Sequence, residues 1–372
     1  MRKTSASRTH DPISSAADFP LESLRGLDPR KKVNTTPLRF PLAEDHHPLK
    51  HSKSRMGYVF VDVTVGTPGQ ELSIEVDTSF GTSLIVAQVS SRGKVYINYK
   101  VYASTTKTVG EQVCTAIGTR ELTGRKNADV FRIGEYRFAG FNFQMIERMN
   151  ERPGFLDFFS GKLGLAPVSA VTQETFAQSI LRLFPDDPVF TFWFRPDEDG
   201  VYRSGIFSFG GVHEYRYVGN MVYVPLVTPG NSWTIEATKI SLGENILCQQ
   251  DCKIQINTGV RYFYASREQI EEIHRLLQID MDRKSTGVYL LEYGEADSYP
   301  SLIIEFGVNQ LKWRMDELWE KKKDRGRIIC KSGMRFTSSL SGWVFGHKLM
   351  YKLFTVFDMK NSRIGMAEAS RP

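Results

Sequence analysis

The sequence predicts an all-β protein built from two related lobes, and three observations support this fold class. The chain has 372 residues, more than the roughly 250–300 residues at which a single hydrophobic core stops growing. Runs rich in β-branched and aromatic residues are frequent, whereas helical patterns are few. Two stretches also resemble each other: "IEVDTSFGTSLIV" (residues 74–86) and "IQINTGVRYFYAS" (residues 254–266).

Strict alternation marks the first strand, in "GYVFVDVTVGTPGQ" (residues 57–70). Val59, Val61, Val63 and Val65 fall on one face, and the glycines and proline that follow predict a turn. Comparable runs recur along the chain, namely "PVFTFWF", "SGIFSFGG", "MVYVPLV", "SLIIEFG" and "LFTVFD". The bulk of the chain is therefore predicted to be antiparallel β-structure.

The clearest helical pattern is "SREQIEEIHRLLQI" (residues 266–279). Ser266 and Gln269 have the spacing of a capping box, in which each side chain bonds the other residue's backbone N–H. An apolar stripe follows at helical spacing, formed by Ile270, Ile273, Leu276 and Leu277.

The similarity between the two stretches extends beyond the stretches themselves. Asp77 is followed 87 residues later by Gly164 in "KLGL", and Asn257 is followed 89 residues later by Gly346 in "WVFGH". Two related lobes that face each other across a cleft would produce this spacing. A chance coincidence of short motifs is the alternative interpretation.

The first 55 residues differ in character from the rest. They contain eleven Lys/Arg against six Asp/Glu, so they carry +5 of the chain's net charge of +6. They lack apolar periodicity, and we predict a disordered N-terminal extension or a removable prosegment. The rest of the chain is expected to form an N lobe over residues 56–190 and a C lobe over residues 191–372.

Composition excludes several classes of protein. The nearly neutral body gives no support to a nucleic-acid partner, and no apolar run approaches the roughly 18 residues needed to cross a bilayer. The start of the chain has no apolar core of a signal peptide. Four cysteines are too few for a disulfide scaffold. The compartment stays open on these grounds.

Taken together, these motifs resemble those of the pepsin-like aspartic peptidases, over about residues 56–370. "VTVGTPGQELSIEVDTS" resembles the family's strand, G-T-P-x-Q and D-T-G-S, and "IGTRELTG" (residues 117–124) resembles its flap hairpin. "FSGKLGL" (residues 159–165) is similar to F-D-G-I-L-G-L. Further matches are the C-x-x-x-C pair, "SGIFSFGGVHEYRYVGNMVYVPL" and "WVFGHKLMYKLFTVFDMKNSRIGMAEA".

The resemblance implies a bilobal pepsin-like acid protease fold: two β-rich lobes around a central cleft, with a few short helices. Each lobe would supply one catalytic residue, and here these positions are Asp77 and Asn257. The flap that crosses the cleft would have Ile117, Gly118 and Thr119 at its tip.

Further roles follow from the same resemblance. Thr78 and Thr258 would hydrogen-bond across the two turns, with Ser79 and Gly259 as supporting turn residues. Cys248 and Cys252 would form a disulfide, whereas Cys114 and Cys330 have no evident partner; the bridge that the family makes at Cys330 would need a cysteine near Leu291.

The chemistry of this family needs two carboxyl groups that share one proton, because two carboxyl groups so close together cannot both be ionised. Asn257 is nearly isosteric with aspartate, but it cannot hold or release that proton. Losing one acid–base partner costs about 10²–10⁴ in rate. Asp77 alone has a second interpretation, as a turn former that bonds its own backbone.

Other departures from the family pattern cluster at the same place. Ser79 replaces a glycine, Phe80 replaces a hydroxyl residue and Ile117 replaces the flap tyrosine. His347 replaces the aspartate after the second apolar-Gly element, and Lys162 stands where an apolar residue is usual. We therefore predict an inactive homologue that binds a peptide or protein in its cleft.

Two alternatives stay open at this point. One is an active acid endopeptidase that borrows a second acid; the nearest carboxylate along the chain from Asn257 is Asp251, beyond a cysteine loop. The other is a structural or storage role. We expect no cofactor, metal or membrane span, and a monomer. The resemblance favours a secreted or endomembrane (lysosomal) location. His46, His47 and His51 are interpreted as solvated residues of the extension.

Overall fold

The computed structural model describes thirteen segments of the chain. They are residues 37–39, 59–87, 89–91, 94–96, 98–150, 159–167, 174–196, 202–229, 232–279, 290–292, 298–324, 327–336 and 342–371. The histidines of the N-terminal extension lie outside these segments. Strands dominate, with four short helices, and the predicted all-β bilobal fold is confirmed.

The strands of the first half lie in or beside one large sheet. Their bounds are β1 Pro37–Arg39, β2 Phe60–Val65, β3 Gln70–Asp77, β4 Leu84–Val86, β5 Val89–Ser91, β6 Lys94–Tyr96, β7 Thr108–Ile117, β8 Arg120–Ile133, β9 Tyr136–Met149 and β10 Gly161–Gly164. The predicted valine face of β2 is confirmed: Val59, Val61, Val63 and Val65 are all buried.

The second half contributes further strands and three smaller sheets. The strands are β11 Val189–Pro196, β12 Tyr202–Phe209, β13 Tyr217–Pro225, β14 Thr234–Ala237, β15 Lys239–Leu242, β16 Asn245–Cys248, β17 Cys252–Asn257, β18 Phe263–Ala265, β19 Leu290–Glu292, β20 Leu302–Phe306, β21 Asn309–Trp313, β22 Trp319–Asp324, β23 Arg327–Ser332, β24 Met334–Phe336, β25 Trp343–Gly346, β26 Leu353–Asp358 and β27 Arg363–Ala369.

One thirteen-stranded sheet joins the two halves, in the order β13-β27-β26-β11-β12-β1-β2-β3-β10-β4-β9-β8-β7. The strands β14-β17-β25-β18-β24 form a separate sheet, and β16-β15-β20-β21 and β19-β23-β22 form two more. A large buried apolar cluster includes strands from both halves. The lobes are therefore connected by sheet and core.

The four helices are short. They are α1 Phe176–Leu183, α2 Arg267–Leu276, α3 Met315–Leu318 and α4 His347–Met350. The helix predicted from "SREQIEEIHRLLQI" is confirmed as α2, and its capping box between Ser266 and Gln269 is present. Ile270 and Ile273 are fully buried on its apolar face.

The same strand arrangement occurs twice. β10 runs parallel to β3 and antiparallel to β4, and β25 runs parallel to β17 and antiparallel to β18. The register places Gly164 beside Asp77 and Gly346 beside Asn257. The repeated spacing in the sequence therefore reflects a structural repeat rather than chance.

The two glycines are needed because a turn passes directly over each of them. A Cβ added at Gly164 would lie 2.7 Å from the carbonyl oxygen of Phe80, and one added at Gly346 would lie 2.3 Å from that of Tyr262. Real Cβ atoms do not approach backbone atoms so closely. The glycines thus fix the height of each turn above its strand.

Three residues of the predicted N-terminal extension or prosegment, residues 37–39, lie in a strand. They form β1, which pairs antiparallel with β12 and meets β2 at Phe60. Pairing with strands on both sides satisfies the backbone hydrogen-bonding groups of this short segment. The other residues before position 59 lie outside the described segments.

Two of the four cysteines form the disulfide that the family resemblance implied. Cys248 and Cys252 form a disulfide that closes the β16–β17 loop. Cys330 is buried and Cys114 is exposed, and neither belongs to a disulfide among the described residues; Leu291 lies opposite Cys330 in the β19–β23 pair, where a bridging cysteine would be required. Within the described segments no helix is long and apolar enough to cross a membrane.

Candidate functional site

The site is built from two turns that begin where β3 and β17 end. Asp77 Oδ1 accepts hydrogen bonds from Ser79, at 2.8 Å from the backbone N and 2.6 Å from Oγ. Asn257 Oδ1 accepts one from the backbone N of Gly259 at 2.9 Å. Aspartate and asparagine thus make the same side-chain-to-backbone turn, which explains why an amide is tolerated in the second stretch.

Two threonines connect the turns with four buried hydrogen bonds. Thr78 N donates to Thr258 Oγ1 at 3.0 Å, and Thr258 N donates to Thr78 Oγ1 at 3.1 Å. Each hydroxyl then donates to a carbonyl on the opposite strand, to Ile256 O at 2.9 Å and to Val76 O at 2.8 Å. The two turns are therefore held face to face by symmetric contacts across 180 residues of sequence.

The second turn lies directly against the Asp77 carboxylate. A Cβ added at Gly259 would be 2.2 Å from Asp77 Oδ2 and 2.4 Å from its Cγ. Only glycine allows this approach. Asp77 and Asn257 are both buried, at 4% and 2% exposure. The two turns thus form a matched pair, with a carboxylate at position 77 and an amide at position 257.

A lysine occupies the remaining side of the Asp77 carboxylate. Lys162 Nζ lies 2.5 Å from Asp77 Oδ2 and 3.0 Å from Glu75 Oε2. Strand register explains the contact: Lys162 lies opposite Glu75 in the parallel β10–β3 pair, and Glu75 and Asp77, two residues apart, share a face of β3. These three residues, called the Lys162 triad below, form a buried ion cluster.

Burial and charge set the protonation of the triad. Burial disfavours the charge on Asp77, but Lys162 and the hydrogen bonds from Ser79 hold its pKa below the usual 3.8. Burial raises the pKa of Glu75 from 4.5 to about 7, against the opposing effect of Lys162. Burial also opposes the charge of Lys162, yet the two carboxylates raise its pKa above 10.5. Asp77 is therefore a stable anion, and Glu75 titrates near neutral pH.

Apolar side chains cover the triad. The ring centroid of Phe80 lies 5.7 Å from Lys162 Nζ, which is within the range of cation–π attraction. Phe80 and Ile117 both pack against a small buried cluster that includes Leu84 and Phe159. Two of the residues that depart from the family pattern thus contact one apolar patch beside the first turn.

The predicted flap is a long hairpin of β7 and β8. Ile117 pairs with Arg120, which leaves Gly118 and Thr119 as a two-residue turn at the tip. Gly118 has a φ of +60°, the conformation that a type II′ turn requires at its first central position. No atom lies within 4 Å of a Cβ added there, so the tip projects freely.

His347 supports the second turn from below. It is completely buried, its Nδ1 lies 3.3 Å from Thr258 O, and its backbone N donates to Val260 O at 3.0 Å. Burial, aided by the charge of Arg261, lowers the pKa of His347 to about 3. A neutral imidazole therefore fills the position of a family aspartate.

Sequence reasoning singled out Lys162 but missed Glu75. The signal was present in the sequence, because both charges interrupt apolar runs, "LSIEVD" and "GKLGL", that predict buried strands. A buried charge requires a partner. The sequence analysis named only Asp251 as a further carboxylate, whereas the structure brings Glu75 to the ammonium of Lys162, which it shares with Asp77.

The arrangement restricts the chemistry that the site can perform. Within the described segments the side-chain oxygens of Asp77 accept hydrogen bonds from Ser79 and Lys162, and one of these donors is a cation. A carboxylate with a lowered pKa is a weak general base. Within the described segments no group of three His, Cys, Asp or Glu side chains could hold a metal ion.

Comparison with known proteins agrees with this geometry. A family model described as "Eukaryotic aspartyl protease" matches residues 58–369. The chain is 27% identical to pregnancy-associated glycoprotein 1 of Bos taurus over 344 residues, which cover 87% of this chain and 84% of that protein. It is also 27% identical to pepsin A-5 of Mus musculus over 327 residues, which cover 83% and 80%. The chain therefore belongs to the eukaryotic aspartyl protease family.

Proposed function

We propose that this protein is a catalytically inactive member of its family that binds a peptide or protein segment in its cleft. The observation that carries the proposal is the contact of Lys162 Nζ with Asp77 Oδ2 at 2.5 Å. In an active site of this type the first carboxylate and a second carboxylate share a proton and activate water. Here the ammonium of Lys162 holds Asp77 as an anion, and Asn257 takes the position of the second acid.

Asn257 alone would slow peptide hydrolysis, and Lys162 in addition prevents Asp77 from acting as the general base. To act as a base, Asp77 must accept a proton while the ammonium of Lys162 stays beside it. The pKa of Asp77 is lowered by that ammonium, so the affinity of Asp77 for a proton is too small for effective general-base catalysis. The intact threonine contacts and the glycines beneath the turns support a retained cleft.

An active acid endopeptidase is the second candidate, and Glu75 is the observation that favours it. Its pKa of about 7 would make it a proton donor at acidic pH. Glu75 is only 1% exposed, however, and precedes Asp77 on the same strand rather than facing it from the other lobe. A proton donor must reach the substrate, which favours the inactive homologue.

A cleavage assay separates the two candidates. The full chain is incubated with a denatured protein and with a random peptide library at pH 3–6, and new termini are quantified by mass spectrometry. The Asp77→Asn variant is the matched control for contaminating peptidases. We expect equal background for both proteins; turnover that disappears in Asp77→Asn or Glu75→Gln would establish the active enzyme instead.

A binding assay tests the retained cleft. A peptide inhibitor with a central hydroxyl, of the kind that mimics the tetrahedral intermediate, is compared with its analogue that lacks the hydroxyl. We expect both to bind with similar Kd, because the hydroxyl finds no shared proton between two carboxylates. A large preference for the hydroxyl form would indicate a working catalytic pair, and no binding of either would favour a purely structural role.

A further inference from the structure

A cluster of charged residues lies in the C lobe next to the second turn. Arg261 Nη2 forms an ion pair with Glu320 Oε1, and the hydroxyl of Tyr262 donates to Glu320 Oε2 at 2.8 Å. The guanidinium of Arg335 stacks on the ring of Tyr262 at 3.7 Å from its centroid. Lys348 completes the set, and its backbone N donates to Arg261 O at 3.0 Å. These five residues are called the Arg261 cluster.

The cluster has more positive than negative charge. Arg261, Arg335 and Lys348 are cations, and Glu320 is the one carboxylate that they share among these five residues. The excess of positive charge affects the pKa of Lys348. Burial and the charges of Arg261 and Arg335 lower this pKa to about 8, despite the opposing effect of Glu320. A net excess of two positive charges in a partly desolvated place favours a bound anion.

Solvent reaches the cluster, so an anion can approach it. The side chains of Arg261 and Glu320 are 22% and 20% exposed, and Arg335 and Lys348 are half-buried. The Nε of Arg261 is buried and has no hydrogen-bond partner among the described residues. The ring of Tyr262 is almost fully buried and therefore holds the Arg335 guanidinium in a fixed orientation.

The cluster begins beside the centre of the cleft. Gly259 lies against the Asp77 carboxylate, and Arg261 follows it by two residues, so their Cα atoms are at most about 7 Å apart. An extended peptide rises about 3.3 Å per residue. A side chain two to four residues from the point of the peptide that lies over Asp77 and Asn257 would therefore reach the Arg261 cluster.

From these observations we propose that the Arg261 cluster is a subsite for an acidic side chain, and that the cleft selects peptides with Asp or Glu at one fixed position. The carboxylate would bind to the two guanidinium groups, with Tyr262 as a rigid base under Arg335. Arginine forks match a carboxylate with two parallel hydrogen bonds. The inference rests on the proposed peptide-binding function and adds the class of ligand.

The test is affinity selection of random decapeptides on the immobilised full chain at two salt concentrations. We expect the recovered peptides to be enriched in Asp or Glu at a single position, and the Kd of a selected peptide to rise about tenfold to a hundredfold when that residue is changed to Gln or Asn. The same rise is expected for the parent peptide with the Arg335→Gln variant, and it should shrink at high salt.

Arg267→Gln is the matched control, because its guanidinium also lies over an aromatic ring, that of Phe336 at 4.0 Å. It should leave the Kd unchanged, and thermal unfolding checks that both variants fold. Equal affinity for acidic and neutral peptides would overturn the subsite and leave the peptide-binding function standing. If no peptide of either kind binds, the proposed function fails as well.

Discussion

Hydrogen-bond donors surround the Asp77 carboxylate in the folded chain. Its two oxygens accept hydrogen bonds from Ser79 and from Lys162, so both are engaged without any substrate or water. The same carboxylate satisfies the turn and balances a buried ammonium. This combination accounts for an acidic residue at 77 opposite an amide at 257, because removing the carboxylate would leave Glu75 as the one remaining carboxylate of the triad beside Lys162.

The energetic role of Lys162 is open to direct measurement. We expect Lys162→Leu to lower the free energy of unfolding by about 3–5 kcal/mol, because two buried carboxylates lose their shared cation. Urea denaturation at pH 7 measures the loss. Lys126→Leu, which breaks the exposed pair with Glu111, is the control and should cost about 1 kcal/mol or less. A loss of that size for Lys162→Leu would show that the triad is not a buried ion cluster.

Glu75 should give stability a distinctive dependence on pH. Its folded pKa of about 7 lies above the usual 4.5, so between these values the folded chain holds a proton that the unfolded chain has lost. The free energy of unfolding therefore falls as the pH rises through this window, by at most about 1.4 kcal/mol per pH unit. Glu75→Gln lacks this contribution.

The comparison of wild type with Glu75→Gln isolates that effect. The pKa of Asp77 is shifted below 3.8 and that of Lys162 above 10.5, so neither titrates in the window. The buried histidines titrate alike in both proteins and cancel. Denaturation at pH 4.5, 6 and 7 should show the stability of wild type falling relative to the variant; a constant difference would contradict the raised pKa.

At the scale of elements, the sequence was sufficient to predict the repeated unit but not to predict the contacts of the Lys162 triad. Asx-type turns, an apolar strand and a glycine at a fixed distance can be read from the sequence, and they correctly predicted a repeat; the strand register then places Gly164 beside Asp77 and Gly346 beside Asn257. The contact between Glu75 and Lys162 depends on the parallel register of β3 and β10, which are far apart in the chain. Register is a property of the assembled sheet.

Gly259 in the second turn and Gly118 at the hairpin tip should respond differently to substitution by alanine. Gly259→Ala places a methyl group 2.2 Å from Asp77 Oδ2, so we expect the paired turns to separate and the protein to lose several kcal/mol of stability or fail to fold. Gly118→Ala meets no atom within 4 Å and should cost only about 1 kcal/mol, for its positive φ. Thermal unfolding compares them, and similar losses would show that Gly259 does not press on the carboxylate.

At the scale of the whole molecule, the site is fixed by contacts that cross from one lobe to the other. The thirteen-stranded sheet runs through both halves, and the indole Nε1 of Trp233 donates to Leu165 O at 2.7 Å, immediately after β10. The threonine pair adds four buried bonds at the centre. A change that leaves Gly259 and the threonine pair intact is therefore not expected to rearrange the lobes.

Because the lobes are held rigidly, a series of substitutions can test which residues prevent catalysis. Asn257→Asp alone restores the second acid but leaves Lys162 on Asp77, so we expect no turnover above the Asp77→Asn background at pH 3–6. Asn257→Asp combined with Lys162→Leu and Glu75→Leu removes the cation from Asp77 together with the other carboxylate of the triad, so that Asp77 and the new acid can share a proton. That triple variant should show measurable cleavage of a peptide library.

The remaining departures should limit the recovered rate. Phe80 and Ile117 still cover the first turn, and the side chain of Ser79 still occupies an oxygen of Asp77. Adding Ser79→Gly to the triple variant should therefore raise kcat/KM further. Strong activity from Asn257→Asp alone would mean that Lys162 leaves the carboxylate when substrate binds, and the lysine contact would then no longer account for an inactive site.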